Sequence, residues 1–446
     1  MIGCILFLIF GLSLIFTRVL FRDETWLYGI SLGYIQQGIF IDLAGMRDGI
    51  YEVNFSGIFY YLVLTLWIKL VGNNLILLRL LSIIFGFISV LFGGKFLKKI
   101  NPETYIWVLL LVISNYYFLY AYSQLRYEAV CLSLILISLY LLIVRPFKKE
   151  IWPIAIATTL LIASIFTHLQ AAFISGPLLL YTFIRLIEKR EYLSLTALLL
   201  IPSAILILYV FYILDHKDWF LKWYELRFGE NANMAGHEGG MFNAVKRYIE
   251  NKELVKIAVA FILFFAHIYI LILAYIKTKT KDQNFFYLFI AGSGALLSWM
   301  LTTNILNDYH SVWLIFVLIN LVFVLKSDNF KLFSFKYLSI PVILSLIGLV
   351  YMVNTVLNNE LAKYHSDVNR ITELVKENDT FIESKNRRIL LDYNFNRDLF
   401  DIKNKKDKKK IVVIIQKQVY DKQKDTSVVK GQTFYWKLIE NSDYSE

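Results

Sequence analysis

The sequence predicts an all-α polytopic membrane protein that ends in a small α+β extension, and three observations carry that prediction. Hydrophobic residues make up 57% of the 446, and a mean hydropathy of +0.56 excludes an ordinary soluble protein. Apolar runs of about 17–22 residues recur along the chain, each long enough to cross a hydrocarbon core of ~30 Å. From about Asn358 the composition turns abruptly polar and charged.

Taken in order, the apolar runs lie near 2–20, 56–71, 76–94, 104–121, 128–144, 151–167, 170–187, 193–213, 254–276, 283–303, 310–325 and 337–357. The first, IGCILFLIFGLSLIFTRVLF, has neither a basic leader nor a small-residue cleavage site, so it reads as a retained span. Twelve spans with a cytoplasmic N-terminus conflict with the loop charges. Lys95/Lys98/Lys99, Arg145/Lys148/Lys149, Arg185/Lys189/Arg190, Lys277/Lys279/Lys281 and Lys326/Lys331/Lys336 would all fall outside, against the positive-inside rule. The run SGIFYYLVLTLWIKL is short, follows a polar stretch and carries Lys69. Read as a helix in the outer interface, it leaves about eleven spans. The N-terminus is then cytoplasmic, the C-terminus extracytoplasmic, and every basic loop lies inside. Twelve spans with the N-terminus outside satisfy the same charges less economically.

This division makes residues 1–357 a transmembrane domain and 358–446 an extracytoplasmic one. The first external loop, 21–75, should hold two interfacial helices, one from Trp26 to about Gln37 and one from about Ser56 to Leu70. A second external loop, 214–253, contains the glycine-rich MAGHEGG. The tail offers a charged helical pattern, ELAKYHSDVNRITELVKEN, then the strand-like runs RRILLDY, KIVVIIQKQVY and TFYWKLIE around the polar KNKKDKKK. The net charge of +11 sits mainly in short loops and the tail, which orients a membrane protein and gives no reason to expect nucleic acid as a partner. Cys4 and Cys131 both lie in apolar runs, which argues against a disulfide framework or a cysteine metal site.

Polar chemistry collects on the external side. Asp23 and Glu24 follow the first span, and Arg79 sits near the outer end of the next. Arg126 and Glu128 occupy the turn YSQLRYEAV, His168 the turn IFTHLQAAF, and Asp308, Tyr309 and His310 the turn NILNDYHSVW. Ionisable residues at membrane depth mark functional sites. Each also has an ordinary reading. Asp23 can cap a helix, Arg79 can snorkel, Arg126 and Glu128 can stabilise their turn, and His168 and His310 can anchor the interface. His267 reads as a packed core histidine. Convergence of two acidic sites and several cations on one side favours chemistry. A carboxylate there can take the proton of an attacking hydroxyl, while Arg79, Arg126 and His168 stabilise a departing lipid phosphate.

The order of the acidic pair Asp23-Glu24, Tyr28, an interfacial helix, VGNNLILLRLLSIIFGFISVL, the YSQLRYE turn and FTHLQAAF resembles the GT-C membrane glycosyltransferases. The bacterial branch similar to protein O-mannosyltransferases and lipid A aminoarabinose transferases is the nearest likeness, covering roughly residues 1–190. The resemblance implies a polyprenyl-phosphate sugar donor and an extracytoplasmic site in the bacterial inner membrane. It implies Asp23 as catalytic base with Glu24 beside it, and it matches Arg79 to a second-span arginine and Glu128 to a second-loop acidic residue. The gathering of polar groups on the same side adds Arg126 and His168 to Arg79 as donor phosphate contacts, and Tyr28, Lys69, Asp308, Tyr309 and His310 to Glu128 as substrate contacts. The acceptor would be an envelope glycan or lipopolysaccharide component, less readily a protein hydroxyl. The Pro-Pro element that commonly opens the second interfacial helix is replaced by VNFSGIFYY, and no DxD pair is present. Metal use is therefore undecided by the residues, with Mg or Mn the divalent cation the family would allow. A glycan polymerase or ligase would need an arginine-rich external loop, and 214–253 has only Arg227 and Arg247. A flippase or transporter would place charges at the midplane and show internal repeats.

Overall fold

The computed structural model describes residues 2–18, 22–47, 50–53, 55–145, 151–228, 254–278, 283–302, 311–325 and 335–359. It also describes four strands after residue 380 and a few short pieces between 245 and 252 and between 361 and 366. Helices dominate, as the apolar runs predict. Helix α1 (Ile2–Thr17) leads into α2 (Arg22–Gln37), a hairpin of β1 (Ile41–Arg47) and β2 (Ile50–Val53), and α3 (Ile58–Val71). There follow α4 (Leu75–Ile100), α5 (Tyr105–Ile113), α6 (Tyr116–Tyr122), α7 (Tyr127–Val144) and α8 (Ile151–Thr167). A 3-10 turn, Leu169–Ala171, precedes α9 (Ala172–Glu188), α10 (Tyr192–Asp215) and α11 (Lys217–Phe228). The remaining helices are α12 (Leu254–Thr278), α13 (Gln283–Thr302), α14 (Ser311–Val324), which opens as a 3-10 turn, and α15 (Phe335–Asn358).

Among the described residues six helices are long and apolar enough to cross a membrane, or seven if the bent pair α5–α6 is one span. This is a multi-pass membrane protein. The six are α4, α7, α9 together with the 3-10 turn before it, α10, α12 and α13. The shorter α1, α3, α8 and α14 are apolar but of 10–17 residues. At 14 residues, α3 is about 21 Å long, below the hydrocarbon thickness, as the other three are.

The expected single span over 104–121 is instead two helices bent by 61°. The cause is local. Asn115 breaks an otherwise apolar run by capping α6, its side chain accepting from the Tyr117 N–H at 2.9 Å. Gly348 of α15 lies so close to the Ser114 carbonyl and the Asn115 backbone that a side chain there would collide with them. A second departure is the antiparallel β1–β2 hairpin in the first loop, where two helices alone were expected. The Asp48-Gly49 dipeptide between its strands is a strong hairpin-turn signal. The third is α11, a helix inside the second loop. Its Phe220 and Trp223 pack on Phe55, with ring centroids 5.4 and 6.0 Å apart, so the two loops meet. MAGHEGG lies outside the described residues.

Helix α7 forms the centre of the bundle, buried along most of its length and packed between α4 and α8. Helix α10 lies at the margin, with Leu199, Leu200, Leu206, Leu208 and Phe211 exposed, as a lipid-facing surface requires. After residue 380 the strands β3 (Phe381–Ser384), β4 (Ile411–Gln416), β5 (Val429–Gln432) and β6 (Trp436–Glu440) form one sheet in the order β3-β4-β6-β5. Strands β4 and β6 fall in KIVVIIQKQVY and TFYWKLIE; RRILLDY lies outside the described residues.

Helix polarity separates the two kinds of charge. Arg79 is in the second turn of α4, whose last turn holds Lys98 and Lys99. Arg126 caps the start of α7, and Arg145 follows its end. Arg185 and Lys189 close α9, which begins just after His168. In α4 and α7 the buried ion-pairing arginines and the basic residues thus occupy opposite ends of the same helix.

Candidate active site

The α1–α2 junction organises the site. Glu24, in the first turn of α2, is 1% exposed, and Arg79 of α4 is fully buried against it. The guanidinium donates from Nε to Glu24 Oε1 at 2.8 Å and from Nη2 to Oε2 at 2.7 Å. Its Nη1 donates to the carbonyls of Arg18 and Ile15 at 2.7 and 3.2 Å. Arg79 thereby satisfies carbonyls at the C-terminal end of α1, which have no partner in their own helix, and holds the carboxylate that opens α2. Glu24 Oε1 also accepts from the Leu125 N–H at 2.8 Å. One carboxylate thus ties α2 to α4 and to the α6–α7 turn. Asp23 precedes Glu24 in the same helical turn; its side chain lies outside the described residues.

A second bidentate pair stands in that turn. Arg126, at the N-cap of α7, donates from Nε and Nη2 to Glu128 at 3.0 and 2.7 Å, both side chains being buried. Glu128 sits in the first turn of α7, where a negative charge is favoured by the helix dipole. Such buried pairs require two hydrogen-bonded partners, since either ion alone would be left uncompensated.

His168 caps the 3-10 turn after α8. Its Nδ1 accepts from the Gln170 N–H at 3.3 Å, which assigns the proton of a neutral ring to Nε2. The imidazole stacks on Tyr127, centroids 4.5 Å apart and planes at 23°, and lies 5.7 Å from Trp313. Trp313 Nε1 donates to Gln170 Oε1 at 2.8 Å, which ties α14 to the same corner. Tyr28 is buried on the α2 face that packs on α3.

The structure thus places Glu24, Arg79, Arg126, Glu128, His168 and Tyr28 at one end of the bundle. Lys69 stands apart from them. It is exposed in the last turn of α3, about 13 Å along that helix from Tyr60, where its charge suits a helix C-terminus. Asp308, Tyr309 and His310 lie outside the described residues, although Ser311, directly after them, is held by Trp299 Nε1 at 3.2 Å.

No family model matches the sequence, and no curated protein is recognisably similar to it. Solved structures do match. ArnT from Cupriavidus metallidurans, bound to undecaprenyl phosphate, superposes with a TM-score of 0.53 at 11% identity, over 99% of this chain and 98% of that one. Its apo state also gives 0.53, at 10% identity over 98% and 97%. The Archaeoglobus fulgidus oligosaccharyltransferase matches at 0.51 and 10% identity, over 93% of this chain and 68% of that one. The chain has the GT-C fold.

Within this GT-C fold the structure adds a residue that sequence reasoning passed over. Arg18, one position beyond α1, is only 7% exposed, and among the described residues it meets no carboxylate. It donates to Ser123 Oγ at 2.7 Å and lies 4.1 Å above the Tyr120 ring. With its amide oxygen turned toward Arg18, Gln124 accepts from Nε at 3.0 Å. The available signal was the polar run SQLRYE between two apolar spans, whose residues Ser123 to Arg126 and Glu128 are all buried. Among the described residues no group of three His, Cys, Asp or Glu could hold a metal. Glu24 and Glu128 each grip a guanidinium, an arrangement that fits an arginine and not Mg or Mn.

Proposed function

We propose that the protein is an inverting glycosyltransferase that moves a sugar from a polyprenyl-phosphate donor to an acceptor of the cell envelope. The observation that carries this reading is the pair of buried Arg–Glu clamps around the first turn of α2, in a fold shared with a protein solved bound to undecaprenyl phosphate. Asp23 takes the proton from an acceptor hydroxyl as that oxygen bonds to the anomeric carbon. The bond from that carbon to the donor phosphate breaks, and its electron pair leaves with the phosphate. Because phosphate departs readily as an anion, no general acid is required. Arg126 and the His168 Nε2–H stabilise the charge gained.

Arg79 takes a different part from a phosphate contact. With each of its three nitrogens bonded to α1 or Glu24, it acts with Glu24 as a positioning residue for Asp23. Tyr28, Glu128, Asp308, Tyr309 and His310 remain the substrate-side groups, and Lys69 serves to seat α3 at the interface.

The site lies on the extracytoplasmic face of a bacterial inner membrane, because the opposite helix ends carry the basic loops. About eleven spans put the N-terminus inside, and 358–446 form a small α+β domain outside. A reporter fused after Glu446 should read as external; a cytoplasmic signal would remove this orientation. The substrate experiment is mass spectrometry of envelope glycans and lipid-linked intermediates from cells with and without the protein. A sugar missing from one glycan or lipid, with its lipid-linked precursor accumulating, is the expected result. Unchanged glycans and intermediates would sink the assignment.

A further inference from the structure

Six aromatic rings run in unbroken contact across the site, and the reaction described above uses only one of them. Trp26 of α2 meets Tyr61 of α3 edge-on, centroids 6.5 Å apart. Tyr61 meets Tyr60 at 5.9 Å, and Tyr60 meets Tyr127 of α7 at 6.1 Å with planes at 86°. Tyr127 stacks on His168, which tilts toward Trp313 of α14. Rings from five separate segments are thus aligned beside both ion pairs.

A purely structural aromatic core would satisfy its polar atoms, because buried donors are almost always bonded. Trp67 and Trp313 follow that rule, donating to the Leu77 carbonyl and to Gln170. Trp26 Nε1 and Tyr60 Oη do not. Both are buried, and neither has a partner among the described residues. Tyr60 is fully buried yet sits in the field of Glu128, Arg126 and Glu24. Burial, reinforced by Glu128, raises its phenol well above the usual range, so the hydroxyl keeps its proton and remains a donor.

Unmet donors set in a row of rings, Tyr60, Tyr61 and Trp313 being at most 1% exposed, match one ligand class well. A pyranose offers C–H faces to lie on rings and oxygens to accept hydrogen bonds, the mixture expected of a small-molecule site. We propose that this aromatic wall reads the transferred sugar, with Tyr60 Oη and Trp26 Nε1 donating to its oxygens. The inference rests on the glycosyltransferase reading and deepens it, by separating recognition of the sugar from recognition of the lipid phosphate.

The test uses the full-length protein in lipid nanodiscs. Binding of bare undecaprenyl phosphate is compared with that of the same lipid carrying glucose, mannose or 4-amino-4-deoxyarabinose. At least one glycosylated lipid should bind about tenfold more tightly than the bare lipid, the value of one good hydrogen bond. Tyr60→Phe and Trp26→Phe, which keep a ring and delete a donor, should each remove most of that gain and leave bare-lipid affinity unchanged. Competition by the matching methyl glycosides separates the sources. A loss confined to lipid-linked sugar assigns the wall to the donor, as proposed, and a loss confined to the free glycoside would overturn it as the reader of the transferred sugar. Should one variant fail to fold, the other decides. A gain that survives in the folded variants, an equal loss of bare-lipid binding, or no gain from any of the sugars would each overturn the wall. If the wild type binds no lipid phosphate at all, the glycosyltransferase reading falls instead.

Discussion

Asp23→Asn should lower sugar transfer by about 10²–10⁴-fold, the usual contribution of a positioned general base, with thermal stability left close to wild type. The substitution isolates chemistry from structure. Asn is as good as Asp at satisfying the free N–H groups at a helix start, and Asp23 lies in the first turn of α2. The variant therefore keeps any capping role and loses only the ability to accept a proton. The measurement is initial-rate transfer by purified protein, beside a melting curve in the same nanodiscs. Wild-type turnover would remove Asp23 as the base, and a fallen melting temperature with intact specific activity would leave it only its cap.

The largest effect on stability should come from the clamp beneath that residue. Arg79→Ala leaves Glu24 buried and uncompensated, which typically costs about 3–5 kcal/mol. Glu24→Ala strands the guanidinium in the same way. Replacing both partners with apolar residues of similar volume, Glu24→Met with Arg79→Leu, should restore most of the lost stability, since a well-packed apolar pair is often no worse than a buried ion pair. Transfer should nevertheless stay at least ~10-fold reduced in kcat, because a small displacement of a catalytic group is expensive. The donor KM should change little. A stable double variant with wild-type kcat would sink the positioning role. A raised donor KM, rescued by Arg79→Lys, would return Arg79 to direct phosphate contact.

The parts of the fold that could be read in the sequence are those the membrane itself dictates. Hydrocarbon thickness sets the length of α4, α7, α9, α10, α12 and α13, and the short run 56–70 already gave the shorter length of α3. The one-sided gathering of Glu24, Arg79, Arg126, Glu128 and His168 was legible for a similar reason. Charges at membrane depth are few, and alternating spans leave little choice of side. What escaped was everything set by partners distant in sequence. Nothing near Arg79 announces that its partner is Glu24, 55 residues away. Arg18 looks like an ordinary interface residue until Tyr120, Ser123 and Gln124 fold over it. Asn115 was a visible break inside an apolar run, but the bend it starts depends on Gly348 arriving from α15. Tyr60 and Trp26 read as two more aromatics of an interfacial helix, and only packing shows their polar atoms unmet.

The reach of the Glu24 clamp also bears on how the protein is made. During synthesis α1 and α2 emerge first, and the guanidinium that grips Glu24 in the folded protein, Arg79, follows 55 residues later. The hydrogen bond that Glu24 accepts from Leu125 waits for a residue 101 positions on. The clamp that joins α2 to α4 and to the α6–α7 turn therefore closes only after both of those later segments are made.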